Sequence, residues 1–374
     1  MPLYDSILDT VGRTPIVRLH RMSPPHATVY VKVESFNPGG SVKDRLALSV
    51  VKDAERKGRL KPGDTIVECT SGNVGIALAM VAAARGYKFV AVMGDTYSAE
   101  RRKLIRAYGG KVILFPSALG SLGGNRIADE LAARHGWFRA DQFDNPANPA
   151  YHRETTAAEI LGDFAGRRLD YFVTGFGTSG TLTGVGQMLK LARPDVRIVA
   201  AEPDNAALLS GQDWNVHRIQ GWSPNFVPGV LDESVIDELL TVDEVEGRDT
   251  ARRLATEEGI FTGISAGATL ATALRVAERA PEGSVLLAML PDTGERYLST
   301  FLFDGVNEGS DTAWLASLDA PDSRDAADFR DAPDSPDAAD SLGAEDSPDT
   351  DDVPGADDVP VLAGIPAAAA GAGT

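Results

Sequence analysis

Residues 29–34, VYVKVE, alternate apolar and polar side chains. The chain then breaks at Asn37-Pro38-Gly39-Gly40-Ser41, after which apolar residues recur at Leu46, Ala47, Val50, Val51 and Ala54. Period two followed by helical spacing predicts a strand, a glycine turn and a helix. Ser41 reads as the helix N-cap, which places Lys43 in the first turn. The same succession repeats. TIVECT (65–70), KFVAVMG (88–94), KVILFP (111–116), YFVTGF (171–176) and RIVAAE (197–202) read as strands, each of the first four followed by a helical pattern. The helix SAGATLATALRVAERA then leads into SVLLAML (284–290). Such alternation predicts an α/β fold of parallel sheets covered by helices on both faces. A chain of 374 residues is long enough for two such layers. Ligands in these folds bind beyond the carboxyl ends of strands, so chemistry is sought in the segments that follow them.

Charge divides the chain. Residues 319–374 hold 15 acidic residues and two arginines, a net charge of −13 out of −18, which leaves −5 for residues 1–318. From Asp319 to Asp340 an aspartate recurs every third residue, with mostly Ala, Pro and Ser between and Phe329 the only aromatic. That period fits neither helix nor strand, and the composition cannot bury a core, so 319–374 is expected to be a disordered acidic tail. The body is not basic enough to suggest nucleic acid. Its longest apolar run, Val74 to Ala84, is too short to span a bilayer, and the N-terminus has no secretory pattern, which together predict a cytoplasmic protein. Cys69 is the single cysteine, so no intrachain disulfide can form, and the five histidines show no metal-ligand spacing.

Chemistry concentrates after the strands. The helix dipole disfavours a cation at Lys43, so that lysine is either solvated or used as an amine. TSGNVG (70–75) offers two hydroxyls, a glycine and an amide at a helix start, suited to an anion such as a carboxylate or simply to capping. GFGTSGT (175–181) can cradle a phosphate on backbone N–H groups. It also matches G-x-G-x-x-G through Gly175, Gly177 and Gly180, with Glu202 placed where a dinucleotide's ribose acid would lie. GISAGA (263–268) sets Ser265 at another helix start, DQFDNPANP (141–149) offers the Gln142 amide, and PDTGERYLST (291–300) reads as a turn into a helix.

Taken in order, NPGGSVKDR, TSGN, QFDNPANP, GTSGT, GISAGA and PDTGERYLST resemble the cysteine synthase (O-acetylserine sulfhydrylase) family of fold type II pyridoxal-phosphate enzymes, over roughly residues 3–310. The resemblance implies a tryptophan-synthase-β-like fold of two α/β domains with the active site between them. The body would span 1–318, with a smaller domain at about 40–145 and a larger one from 1–39 and 146–318. It implies pyridoxal 5′-phosphate as cofactor, with Lys43 as the Schiff-base lysine and catalytic base. Gly177, Thr178, Ser179, Gly180 and Thr181 would cradle the phosphate, Asn73 would meet the 3′-oxygen and Ser265 the pyridine nitrogen. Thr70, Ser71, Gly72, Asn73 and Gln142 would hold the substrate. A hydroxyl need not keep the pyridine nitrogen protonated, which favours expulsion of a β-leaving group over a long-lived carbanion.

The implied reaction is β-replacement on O-acetyl-L-serine through an aminoacrylate, by a small nucleophile, in a homodimer. Val74, Ser179, Ala266 and Pro224-Asn225 depart from the family's usual residues. They leave the first half-reaction intact and the nucleophile open. Sulfide, giving L-cysteine, is placed first, and hydroxyurea, as in the O-ureido-L-serine synthases, second; an NAD-dependent dehydrogenase through GFGTSG is the remote third.

Overall fold

A computed structural model describes residues 3–306 and 308–318. The acidic tail expected at 319–374 lies outside the described residues. Two sheets organise the chain up to residue 306. The smaller has the order β5-β4-β3-β6, from β3 (Thr65–Cys69), β4 (Lys88–Gly94), β5 (Lys111–Phe115) and the two-residue β6 (Phe138–Arg139). All its pairings are parallel. The larger has the order β1-β2-β10-β7-β8-β9. It is built from β1 (Ile16–Arg18), β2 (Ala27–Val33), β7 (Tyr171–Gly175), β8 (Arg197–Pro203), β9 (Glu238–Val242) and β10 (Ser284–Leu290). It is parallel except at the edge, where β1 runs antiparallel to β2, an addition to the all-parallel expectation.

The helices are α1 (Lys43–Arg56), α2 (Asn73–Arg85), α3 (Ala99–Ala107), α4 (Gly120–His135), α5 (Ala147–Tyr151), α6 (Ala157–Asp163), α7 (Gly180–Ala192), α8 (Glu244–Glu258), α9 (Ile264–Arg279) and α10 (Thr312–Leu318). Alternation along each strand sends neighbouring side chains to opposite layers. In β3, Ile66 packs with α1 and α2, while Val67 packs with Ile127, Ala128 and Leu131 of α4. In β10, Leu286 and Ala288 meet Leu270 and Ala273 of α9, while Leu287 and Met289 meet Leu182 and Val185 of α7. Both sheets are therefore covered on both faces. No helix among the described residues is long and apolar enough to cross a membrane.

Three local expectations shift. Helix α1 has Val42 rather than Ser41 as its N-cap, although the Ser41 hydroxyl still accepts the Lys43 N–H at 3.2 Å. Gly263, not Ser265, is the N-cap of α9, so Ser265 lies inside its first turn. PDTGERYLST forms two short 3-10 turns, Gly294–Tyr297 and Phe301–Phe303, rather than entering an α-helix.

Candidate active site

The segments leaving β2, β3, β7 and β10 converge at the carboxyl ends of their strands, together with the start of α9. A cavity of about 300 Å³ is lined by Lys43, Thr70, Ser71, Asn73, Gln142 and Thr178, among others. A second, smaller cavity shares Lys43, Asn73 and Thr178 and reaches Gly177, Ser179, Thr181 and Ser265. Every polar side chain singled out for the site in the sequence thus lies on one of two adjoining cavities. The stretch from Trp214 to Pro224 lines the first as well, and a Cβ on Gly120 would lie 3.1 Å from Asn225, which sets Pro224-Asn225 against the start of α4. Val74 is buried on the cavity wall. Ala266 instead packs into the core under α9, so that departure does not touch the site.

Lys43 projects its Nζ to 3.4 Å from the Thr178 hydroxyl. Burial pushes its amine down from the ordinary value of 10.5 to about 8, with the Asp292 carboxylate acting in the opposite sense. A neutral, nucleophilic fraction is therefore present near physiological pH. In cofactor-free protein, Lys43 is expected to react half-maximally with an amine-selective acylating reagent near pH 8, measured by peptide mass mapping across a pH series; a midpoint near 10.5 would contradict this environment.

The Thr70 hydroxyl accepts the N–H groups of Gly72 and Gly75, both at 3.0 Å, and so shapes the turn that opens α2. Gly72 has φ +151°, and a Cβ there would fall 2.3 Å from Arg101 Cδ. No other residue fits. Gln142 behaves differently from its expected part. Its Nε2 donates to the Cys69 carbonyl at 2.5 Å and to Glu68 at 3.1 Å. Both amide protons are taken up inside the protein, so donation to a substrate carboxylate requires this side chain to turn. Cys69 is buried, and burial pushes its thiol up to about 12, which marks it as a wall residue rather than a nucleophile.

At the end of β7 the N–H groups of the first turn of α7 have no intrahelical acceptor, the arrangement a phosphate requires. Ser179 precedes it in the left-handed conformation, φ +64°. The glycines have packing reasons. A Cβ on Gly177 would lie 2.4 Å from the Gly221 carbonyl, and one on Gly180 1.9 Å from Asn148 Oδ1. Behind Thr181 stands His152, whose Nε2 is 3.4 Å from the Thr181 hydroxyl. Burial lowers its pKa to about 3, so the ring is neutral. The dinucleotide reading fails at its acid. Glu202 is fully buried and accepts from the Leu209 and Ser210 N–H groups and from the Ser210 hydroxyl. It closes a loop and is not available to a ribose.

Several residues of the site escaped the sequence. Asp292 accepts from Asn73 Nδ2 and from the Tyr297 hydroxyl, both at 2.6 Å. Arg296 donates to Asn73 Oδ1 at 2.6 Å and to the Gly39 carbonyl. Arg101 donates to the Ser71 carbonyl at 2.9 Å and stacks over the Tyr297 ring. The available signal was PDTGERYLST itself, which carries three of these four residues after a strand end.

The donor set fits pyridoxal phosphate. A low-pKa amine, a helix-start anion site, the Asn73 amide and the Ser265 hydroxyl face two connected cavities. Comparison with known proteins agrees. The profile of the family described as pyridoxal-phosphate dependent enzymes matches residues 7–292. O-ureido-L-serine synthase of Streptomyces lavendulae is 81% identical over 319 residues, covering 85% of this chain and 98% of that protein. Cysteine synthase of Staphylococcus aureus (strain Mu50 / ATCC 700699) is 47% identical over 300 residues, covering 80% and 97%. The crystal structure of an O-ureido-L-serine-bound K43A mutant of O-ureido-L-serine synthase superimposes with a TM-score of 0.84 at 80% identity, covering 85% of this chain and 99% of that one.

Proposed function

The chain belongs to the pyridoxal-phosphate-dependent enzymes, and from that premise we propose that it replaces the acetate of O-acetyl-L-serine with hydroxyurea, giving O-ureido-L-serine. The observation that carries this reading is the 81% identity to an O-ureido-L-serine synthase over nearly the whole of that protein. The more distant cysteine synthases support β-replacement in general. The relatives therefore favour the second of the two nucleophiles that the motifs left open. The cavity's chemistry points the same way. Gln220 Oε1 and His217 Nδ1 are buried without a partner among the described residues, and both side chains line the cavity. A urea can satisfy such groups and sulfide cannot.

In this reading Lys43 would hold the cofactor covalently. The N–H groups of the Gly177–Thr181 turn into α7 would take its phosphate, and Asn73 and Ser265 would meet its ring. Bound there, pyridoxal phosphate supplies an electron-accepting ring next to the substrate's α-carbon. The Thr70–Gly72 turn orients the substrate carboxylate. The Lys43 amine, once freed by the substrate's own amine and partly neutral near pH 8, takes the α-proton. The C–O bond between the β-carbon and acetate breaks, the hydroxyurea oxygen gives up its proton as it bonds to the same β-carbon, and the α-carbon takes back the proton held by Lys43. The domain division at about 40–145 and a homodimer belong to the same proposal; sedimentation of the purified protein tests the latter.

The test is product analysis by mass spectrometry after mixing holoenzyme and O-acetyl-L-serine with hydroxyurea or with sulfide. O-ureido-L-serine is expected, with a kcat/KM for hydroxyurea at least comparable to that for sulfide. Cysteine formation without any ureido product would overturn the reading.

A further inference from the structure

The segment after β10 touches the turn before Lys43, the start of α9 and the Asn73 amide. The Pro291 carbonyl accepts the Val42 N–H at 2.8 Å, and the Thr293 N–H donates to the Gly40 carbonyl at 3.3 Å, so the turn before Lys43 is bonded to it. The Asp292 carbonyl accepts the Gly263 N–H at 3.4 Å, at the start of α9. A Cβ on Gly263 would lie 2.3 Å from Asp292 Oδ1. Asp292 is 1% exposed, and its Oδ1 has no partner among the described residues. A buried carboxylate with a bare oxygen carries a cost that calls for a function.

We propose that Asp292 and Arg296 are positioning residues that fix the Asn73 amide, with its nitrogen held by the carboxylate and its oxygen by the guanidinium. An amide placed between an anion and a cation has one favourable orientation, because the flipped form would set its oxygen against Asp292 and its N–H groups against Arg296. Asn73 Nδ2 carries two protons. Asp292 takes one, which leaves one donor for the cavity that Asn73 shares with Lys43 and Thr178. The assignment rests on the reading above, in which Asn73 meets the cofactor ring. Asp292 thereby links three elements: the amide opening α2, the turn carrying Lys43, and the start of α9.

The inference is tested on purified holoenzymes by the rate of cofactor release and the position of the visible absorption band. D292N keeps the side-chain volume but lets the amide adopt either orientation. It is expected to release cofactor about tenfold faster, as for the loss of one charge-assisted hydrogen bond, and to shift the visible band. Y297F removes another bond to the same carboxylate and is expected to stay within about twofold. The deciding comparison is a double-mutant cycle. If Asp292 acts through Asn73, D292N adds nothing in an N73A background. A further tenfold loss there, or wild-type release by D292N, would overturn the inference. R296M with N73A reads the same coupling from the other side of the amide if D292N does not fold. Wild-type release by N73A alone would sink the cofactor contact of Asn73 and this inference together, whereas additivity with a weakened N73A would sink only the inference.

Discussion

Replacing Lys43 with alanine is expected to lower turnover by about 10³-fold or more, because in the proposed function one amine would serve both as the covalent partner of the cofactor and as the base at the α-carbon. The fold should not suffer. The Lys43 side chain makes a single weak bond, 3.4 Å to Thr178, and its charge is disfavoured by burial. With both proteins cofactor-free, a thermal midpoint equal to or above that of the wild type is therefore expected alongside the loss of activity in the reconstituted enzyme. The two readouts separate chemistry from structure. Turnover within tenfold of the wild type would remove Lys43 from the mechanism. Lost activity with a lowered midpoint would instead assign it a structural part.

The second large effect is on stability. Arg45, two residues beyond Lys43, is fully buried and bonded through Nε and Nη2 to Glu34, at 2.7 and 3.0 Å. It also reaches Glu159 at 2.7 Å, and Lys32 reaches Glu159 at 2.8 Å. Arg45→Met is expected to destabilise the protein by roughly 3–5 kcal/mol, because it leaves carboxylates inside without their main counter-charge. Denaturant unfolding checks the size. The pH dependence checks the cause. Burial alone would raise Glu159, but Arg45 and Lys32 more than offset it and hold its pKa at about 2; Glu34 is likewise held low against its own burial. Groups with depressed native pKa contribute stability that is present above their ordinary value, near 4.5, and lost as pH falls through the native one. The wild type should therefore lose thermal stability between about pH 4.5 and pH 2, and R45M should show a shallower fall over that window. An unchanged slope would mean that the carboxylates are not held by Arg45.

The strands that sequence periodicity predicts are the ones with clean alternation or a continuous apolar run. Edge strands β1 and β9 and the two-residue β6 escape because they are short or half-buried. Helix α8 escapes for another reason. The residues it buries are Gly247, Thr250, Ala251 and Leu254, mostly small or polar, so its sequence shows no apolar stripe. The same contrast holds at the site. Lys43, Asn73 and Thr178 are legible because each sits in a local glycine-and-hydroxyl pattern after a strand. Asp292 and Arg296 are not, since their meaning comes from Asn73, 219 and 223 residues away in the chain. Local spacing reports turns and caps; it carries no information about which distant amide a carboxylate will meet. Gln142 shows the converse, a residue correctly placed on the cavity whose donors are already engaged.

The pairing of Ala27–Val33 with Ser284–Leu290 has a consequence for how the protein is made. β10 lies between β2 and β7, so the larger sheet lacks an inner strand until nearly the whole body has left the ribosome. At roughly 5–20 residues per second, that interval is on the order of tens of seconds. During it β2 exposes an unpaired edge, while the smaller sheet, complete by residue 139, can already close. The turn carrying Lys43 cannot dock on Pro291 before then. The last sheet strand to be synthesised is thus followed directly by the segment that completes the candidate site, and nascent chains truncated before residue 284 would lack both the inner strand of the larger sheet and the partners of the Lys43 turn.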